Sequence, residues 1–144
     1  MTGELILIIE DNDKNLKLVR DVLRFNGYET AEAMTAEDGL LLARSQRPVL
    51  ILMDIQLPGM DGFETAQLIR GRPRSRHTPI LFLTAYRSDE HLFRGYDLGA
   101  VDFLFKPILP EILQSKVSVF VELTRNAELL RQQAARLAKA EKQM

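Results

Sequence analysis

Glu10 with Asp11, Asp54, Thr84 and Lys106 stand where apolar runs of strand length give out, after Leu5 to Ile9, Val49 to Met53, Pro79 to Leu83 and Val101 to Phe105. Singly, each is an ordinary polar residue at a strand end. Together they are three carboxylates, a hydroxyl and an ammonium, and in an open parallel sheet the carboxyl ends of the strands form the ligand-binding edge. Carboxylates gathered in one pocket repel, and a cation or a proton must relieve that repulsion. A hard divalent ion with oxygen ligands answers the need, and Mg²⁺ (or Mn²⁺) suits a site that also receives phosphate. With the ion and Lys106 holding it ionised, one carboxylate can attack phosphorus and become an acyl phosphate, while metal, ammonium and hydroxyl neutralise the transferring oxygens. Asp54 is the candidate nucleophile because it stands alone on a central strand, which leaves the Glu10-Asp11 pair to hold the metal.

Bringing these residues to one edge requires repeated strand–helix units. Apolar blocks alternate with amphipathic segments five times, the pattern of an α/β chain with a parallel sheet. Lys14 to Phe25 sets Leu16, Val19, Val22 and Leu23 at helical spacing and is stopped by Asn26-Gly27. Tyr28 to Ala33 is more polar, as befits a strand near an edge, and Thr35 is an N-cap candidate for the helix carrying Leu40, Leu41 and Leu42. After Asp54, the stretch Leu57-Pro58-Gly59-Met60-Asp61-Gly62 is dense in turn residues and predicts a rigidly specified loop. Helices follow over Phe63 to Arg70 and Ser88 to Leu98, the second closed by Gly99. Strict alternation with right-handed crossovers predicts a doubly wound (βα)5 fold.

Composition narrows the function classes. At 16.4 kDa, 46% hydrophobic and 27% charged, the chain has the content of one ordinary domain. No cysteine is present, which removes disulfides, thiolate zinc sites and a cysteine nucleophile, and His77 and His91 have no partner at metal-ligand spacing. The net charge of -1 and pI near 6.1 supply no field for nucleic acid or an anionic membrane. No apolar run reaches the roughly 18 residues that span a bilayer, and Met1-Thr2-Gly3-Glu4 lacks a basic secretory start, so a cytoplasmic location is expected. Arg70, Arg72, Arg74, Arg76 and His77 form a basic stretch without interleaved aromatics and read as a solvated loop. His91 is expected on an exposed face, and Met34, Met53 and Met60 as core filler.

Read in order, Glu10-Asp11, Met53-Asp54-Ile55-Gln56-Leu57-Pro58-Gly59-Met60-Asp61-Gly62, Leu83-Thr84-Ala85 and Lys106-Pro107 resemble the receiver domain of two-component response regulators, over about residues 4–122. The resemblance implies a flavodoxin-like sheet of order 2-1-3-4-5, an arrangement for which the chemotaxis receiver is a standard example. It implies that Asp54 takes a phosphoryl group from a phosphohistidine on a sensor histidine kinase or phosphotransfer protein. Asp11, Asp54 and the backbone carbonyl of Gln56 would hold Mg²⁺, with Glu10 acting largely through water, and Thr84 and Lys106 would contact the phosphoryl oxygens. Phe103 occupies the position of the family's aromatic switch, without the phenol of the Tyr often found there. A phosphoryl group would draw the Thr84 hydroxyl inward and vacate space for that ring. The Lys106-Pro107 bond is implied to be cis, aiming the lysine. Gln56 and Tyr86 occupy positions that tune acyl-phosphate lifetime, and bulky Tyr86 is expected to shield the phosphoryl group from water. The resemblance implies a regulatory phosphoacceptor that catalyses its own phosphorylation and dephosphorylation, controlling an output domain or partner, in place of a metabolic enzyme.

Two other readings compete. Asp-nucleophile phosphohydrolases resemble one another in a second Asp two residues after the nucleophile, and Gln56 stands there. No glycine-rich phosphate loop follows the first strand, which weakens a nucleotide-binding module. A phosphorylation-independent interaction module, a pseudo-receiver, stays open at this stage.

The last helix starts near Pro110, and neither Pro nor Gly interrupts Glu111 to Met144. Phe120, Ala127 and Ala134 alternate with Leu123, Leu130, Leu137 and Met144 in a seven-residue repeat, the pattern of a coiled coil weakened by its alanines. Residues 123–144 are therefore expected to be a helical extension that mediates parallel homodimerisation. It resembles the signalling helices that lead from receivers to sensory, kinase or cyclic-nucleotide output domains, and the chain is expected to be a piece of a longer protein.

Overall fold

Each apolar run becomes a strand because it is buried on both faces of one sheet. The computed structural model describes residues 3–85, 87–99 and 102–143. The elements are β1 (Leu5–Ile9), α1 (Asp13–Phe25), β2 (Glu29–Ala33), α2 (Ala36–Ser45), β3 (Leu50–Asp54), α3 (Gly62–Arg70), β4 (Ile80–Thr84), α4 (Asp89–Asp97), β5 (Asp102–Phe105) and α5 (Pro110–Gln143). The five strands are parallel in the order β2-β1-β3-β4-β5, which is the order the resemblance implies. The polar run Glu29–Ala33 lies at one edge and β5 at the other. β3 is buried along its whole length in the centre.

Side chains alternate across the sheet and split the core in two. Ile9, Met53, Phe82 and Phe103 join Phe63 and Ile69 of α3 on the face covered by α2, α3 and α4. Ile8, Leu52, Leu83 and Leu104 meet Val19 of α1 and Val117 of α5 on the other. Each of the first four helices is capped by a side chain. Asn12, Thr35, Asp61 and Ser88 accept the backbone N–H of Asn15, Asp38, Glu64 and His91, which satisfies donors that a helix start leaves unpaired. Gly99, at φ 84°, closes the turn after α4 in a left-handed conformation.

Three expectations change. Arg70 is not part of a solvated loop: its guanidinium donates to the carbonyls of Ser75 and Leu98 at 3.3 and 3.2 Å, to that of Gly99 at 2.8 Å, and to that of Thr78. It thereby ties the end of α3 to the segment before β4 and to the turn after α4. The arginines that follow remain exposed around a short 3₁₀ turn, Pro73–Ser75. Met34 is 41% exposed and fills no core, whereas Met53 is fully buried. His91 is only partly exposed: its ring packs 5.6 Å from that of Phe63, and its Nδ1 is buried without a hydrogen-bond partner.

α5 is uninterrupted from Pro110 to Gln143. Leu113, Val117 and Val121 bury its first half, and Thr124 donates to the carbonyl of Val49 at 3.4 Å. Arg125 forms a two-pronged ion pair with Glu4, with one contact at 3.0 Å, and reaches Glu122 at 3.1 Å. From Arg125 to Lys142 every residue is exposed. No helix among the described residues is long and apolar enough to cross a membrane.

Candidate functional site

β1 and β3 pair in register Ile9↔Met53, so the residues that follow, Glu10 and Asp54, come side by side at the carboxyl end of the sheet. β4 and β5 pair Thr84 with Phe105, and the N–H of Lys106 donates to the Thr84 carbonyl at 2.8 Å, which holds the lysine against the end of β4. The Lys106-Pro107 bond is cis, as expected.

Lys106 Nζ donates to Asp54 Oδ2 at 2.8 Å and lies 3.0 Å from Glu10 Oε1. Asp54 Oδ1 accepts the N–H of Gln56 at 2.8 Å. Glu10, Asp11 and Asp54 each bring a carboxylate oxygen within 4.8 Å of the others. Their environments differ: Glu10 is fully buried, Asp54 nearly so, and Asp11 is exposed. Thr84 is buried at the end of β4, its carbonyl bonded to the Lys106 N–H. The structure thus brings together the Glu10, Asp11, Asp54 and Lys106 side chains, with Thr84 at the neighbouring end of β4.

The electrostatics report an unmet demand for positive charge. Burial, then the hydrogen bond and charge of Asp54, push the Glu10 carboxyl from 4.5 up to about 7, against the opposing pull of Lys106. Desolvation draws the Lys106 ammonium down, but its contacts with Asp54 and Glu10 outweigh this and the net shift is upward. One ammonium cannot satisfy three carboxylates, and Glu10 Oε2 is buried with no hydrogen-bond partner. A hard divalent cation fits this donor set, because it takes oxygen ligands and retains several waters.

The loop beyond Asp54 shapes the entrance. Gly62 N–H donates to the Ile55 carbonyl at 2.8 Å, and a Cβ on Gly62 would stand 2.5 Å from the Asp54 carbonyl oxygen and 2.8 Å from the Ile55 Cα. Only glycine permits that approach. On the α4 side, the guanidinium of Arg87 lies 4.0 Å from the centre of the Phe105 ring, a cation–π contact that spacing alone gave no sign of. Phe103 is buried, with its ring 5.6 Å from Phe82 and 5.4 Å from Tyr96. Tyr86, expected to shield a phosphoryl group, lies outside the described residues.

The chain matches the family model of the response regulator receiver domain over residues 6–118. It is 38% identical over 113 residues to the polar-differentiation response regulator DivK of Brucella anthropi, an alignment covering 76% of this chain and 90% of DivK. It is 39% identical over 112 residues to the transcriptional regulatory protein AfsQ1 of Streptomyces coelicolor, covering 78% of this chain, and it spans only 48% of AfsQ1. Among solved structures, the receiver domain of the sensor histidine kinase PA1611 of Pseudomonas aeruginosa superposes with a TM-score of 0.77 at 31% identity, over 83% of this chain and 98% of that one. That structure has a magnesium ion coordinated in its active-site cleft.

Proposed function

The chain belongs to the response regulator receiver family of two-component signalling, and from that premise we propose that Asp54 accepts a phosphoryl group from the phosphohistidine of a sensor histidine kinase or phosphotransfer protein. The observation that carries the proposal is the position of Lys106 Nζ, 2.8 Å from Asp54 Oδ2 and 3.0 Å from Glu10 Oε1 beside the Asp11 carboxylate. Lys106 holds the Asp54 carboxylate by a hydrogen bond and offers a donor to the incoming phosphoryl oxygens. An Asp54 oxygen bonds to phosphorus as the phosphorus–nitrogen bond to imidazole breaks. The departing nitrogen keeps that electron pair and takes up a proton.

Glu10, Asp11, Asp54 and the carbonyl of Gln56 are the proposed Mg²⁺ site, with Glu10 acting through water. When bound, Mg²⁺ supplies positive charge against the transferring oxygens. Gln56 already gives its N–H to Asp54 Oδ1, which supports a backbone role for it. The Thr84 hydroxyl is proposed to donate to a phosphoryl oxygen, and Phe103 to respond as the switch residue. Residues 123–144 are proposed to be a helical extension that carries the response outward and pairs with a second copy.

Incubation with acetyl phosphate and Mg²⁺, followed by intact mass measurement, tests the reading. A single phosphoryl adduct is expected, lost in Asp54→Asn and absent when EDTA replaces Mg²⁺. An unmodified wild-type chain, or an adduct that persists at another residue in Asp54→Asn, overturns the assignment and favours the phosphorylation-independent module.

A further inference from the structure

α4 is a nine-residue helix with a glycine in its last turn, at Gly95, and glycine weakens a helix relative to alanine. Gly99 already provides the left-handed turn that ends this helix, at φ 84°, so Gly95 is not needed for termination. Its role lies in packing. Gly95 is buried, and a Cβ on it would stand 2.4 Å from Cζ and 2.9 Å from Cε2 of Phe103, with Phe82 Cδ2 at 3.3 Å. The Phe103 ring therefore rests in the notch that the missing side chain leaves in α4.

The sheet shows why this notch bears on signalling. Phe82 pairs with Phe103, and two residues further along, on the same face of the sheet, Thr84 pairs with Phe105. Phe103 is thus one side-chain step from the residue proposed to contact the phosphoryl group. The resemblance suggests a ring that waits for Thr84 to vacate space. Here the ring is already 1% exposed, seated between Phe82 and Tyr96. α5 fixes the backbone at the same point, since Lys116 Nζ donates to the Phe103 carbonyl at 2.9 Å and to Asp102 Oδ2 at 2.6 Å. With its backbone held, Phe103 can respond mainly by rotating its side chain.

We propose that Gly95 is a positioning residue of the switch: its missing Cβ seats the Phe103 ring inward before phosphorylation and couples the ring to α4. The proposal rests on the phosphoacceptor reading of Asp54. If a phosphoryl group and the inward ring favour one another, a notch that raises the inward population also strengthens phosphoryl binding. Removing the notch must then weaken it.

Gly95→Ala tests the idea, because helix propensity alone makes that change stabilising and a collision with Phe103 makes it the opposite. The crystal structure of the variant is expected to show the ring turned out to solvent. Affinity for beryllofluoride in the presence of Mg²⁺, a phosphoryl mimic, is expected to fall at least about fivefold. Phe103→Leu lacks the Cζ and Cε2 atoms that the new methyl group would strike. In that background Gly95→Ala is expected to change beryllofluoride affinity less than about twofold and to recover any lost stability. An inward ring in Gly95→Ala with unchanged affinity, or an equal loss in both backgrounds, overturns the proposal. So does a Gly95→Ala defect in folding that Phe103→Leu fails to relieve. If the wild-type chain itself binds no beryllofluoride, the phosphoacceptor reading fails, and the ring position in the Gly95→Ala crystal still decides whether the notch seats Phe103.

Discussion

Gly62 faces the Asp54 carbonyl so closely that a Cβ would lie 2.5 Å from its oxygen, with the Ile55 Cα at 2.8 Å. The obstructing atoms are backbone on both counts, so no rotamer change can absorb the collision. The loop that opens onto the phosphoacceptor can therefore hold its course only with glycine at the start of α3.

Gly62→Ala is expected to destabilise the fold by about 3 kcal/mol and to misplace Asp54 relative to Lys106. Gly59→Ala is the control: it meets nothing within 4 Å, and its cost of about 1 kcal/mol comes only from its φ of 79°. Chemical denaturation of the two variants checks the ranking. Equal stability would show that the loop relaxes around the added methyl group.

Glu10 links stability to pH. Its carboxyl is raised from 4.5 to about 7, chiefly by burial, so the folded metal-free chain holds this proton more tightly than the unfolded chain does. The favourable contribution is complete below pH 4.5 and is lost as pH rises toward 7. In EDTA, the melting temperature of the wild type is expected to fall across this interval more steeply than that of Glu10→Gln, whose amide does not titrate. Mg²⁺ should flatten the wild-type slope by binding the ionised carboxylates. Parallel melting curves for the two proteins in EDTA would remove Glu10 as the cause.

The fold and the residues that gather at the candidate site were legible for one reason: each sits at the end of a strand whose apolar run is buried on both faces, as with Val49 to Met53 before Asp54. Alternation placed the strands, and the resemblance supplied their order. What sequence could not reveal were contacts between distant segments. Arg70 looks like the first of a row of solvated arginines, yet its carbonyl partners Leu98 and Gly99 are 28 and 29 residues away. Glu10 and Asp11 are adjacent and chemically alike, but the first is fully buried, 3.0 Å from Lys106 Nζ, and the second is exposed. Gly95 reads as a flaw in a helix until the Phe103 ring is seen against it.

The Arg70 contacts carry their own prediction. A planar guanidinium serves several carbonyls at once, whereas an ammonium on a flexible stem cannot reproduce that geometry. Arg70→Lys is expected to cost about 1–2 kcal/mol and Arg70→Met about 2–3 kcal/mol, because carbonyls of the segment before β4 and of the turn after α4 lose donors. Amide hydrogen exchange should quicken in those segments first. Exchange that is unchanged there in Arg70→Met would mean that water replaces the guanidinium at no cost.

The extension of α5 presents Leu130 and Leu137 at 65% and 66% exposure on a stretch where every residue from Arg125 to Lys142 is exposed. A helix of that length with no packing partner is marginal in water, and its apolar residues follow the seven-residue spacing of a coiled-coil seam. Pairing with a second copy accounts for both facts. Nearer the domain, Phe120, Leu123 and Ala127 line an open cleft shared with Arg74 and His77, so the seam continues to the body of the receiver. Analytical ultracentrifugation is expected to give a concentration-dependent dimer for the wild type. A Leu130→Glu, Leu137→Glu double variant should be monomeric and less helical, with the receiver's own melting transition unchanged because neither leucine belongs to the two core clusters. A wild-type chain that stays monomeric at all concentrations, with and without Mg²⁺ and beryllofluoride, would falsify dimerisation through this helix.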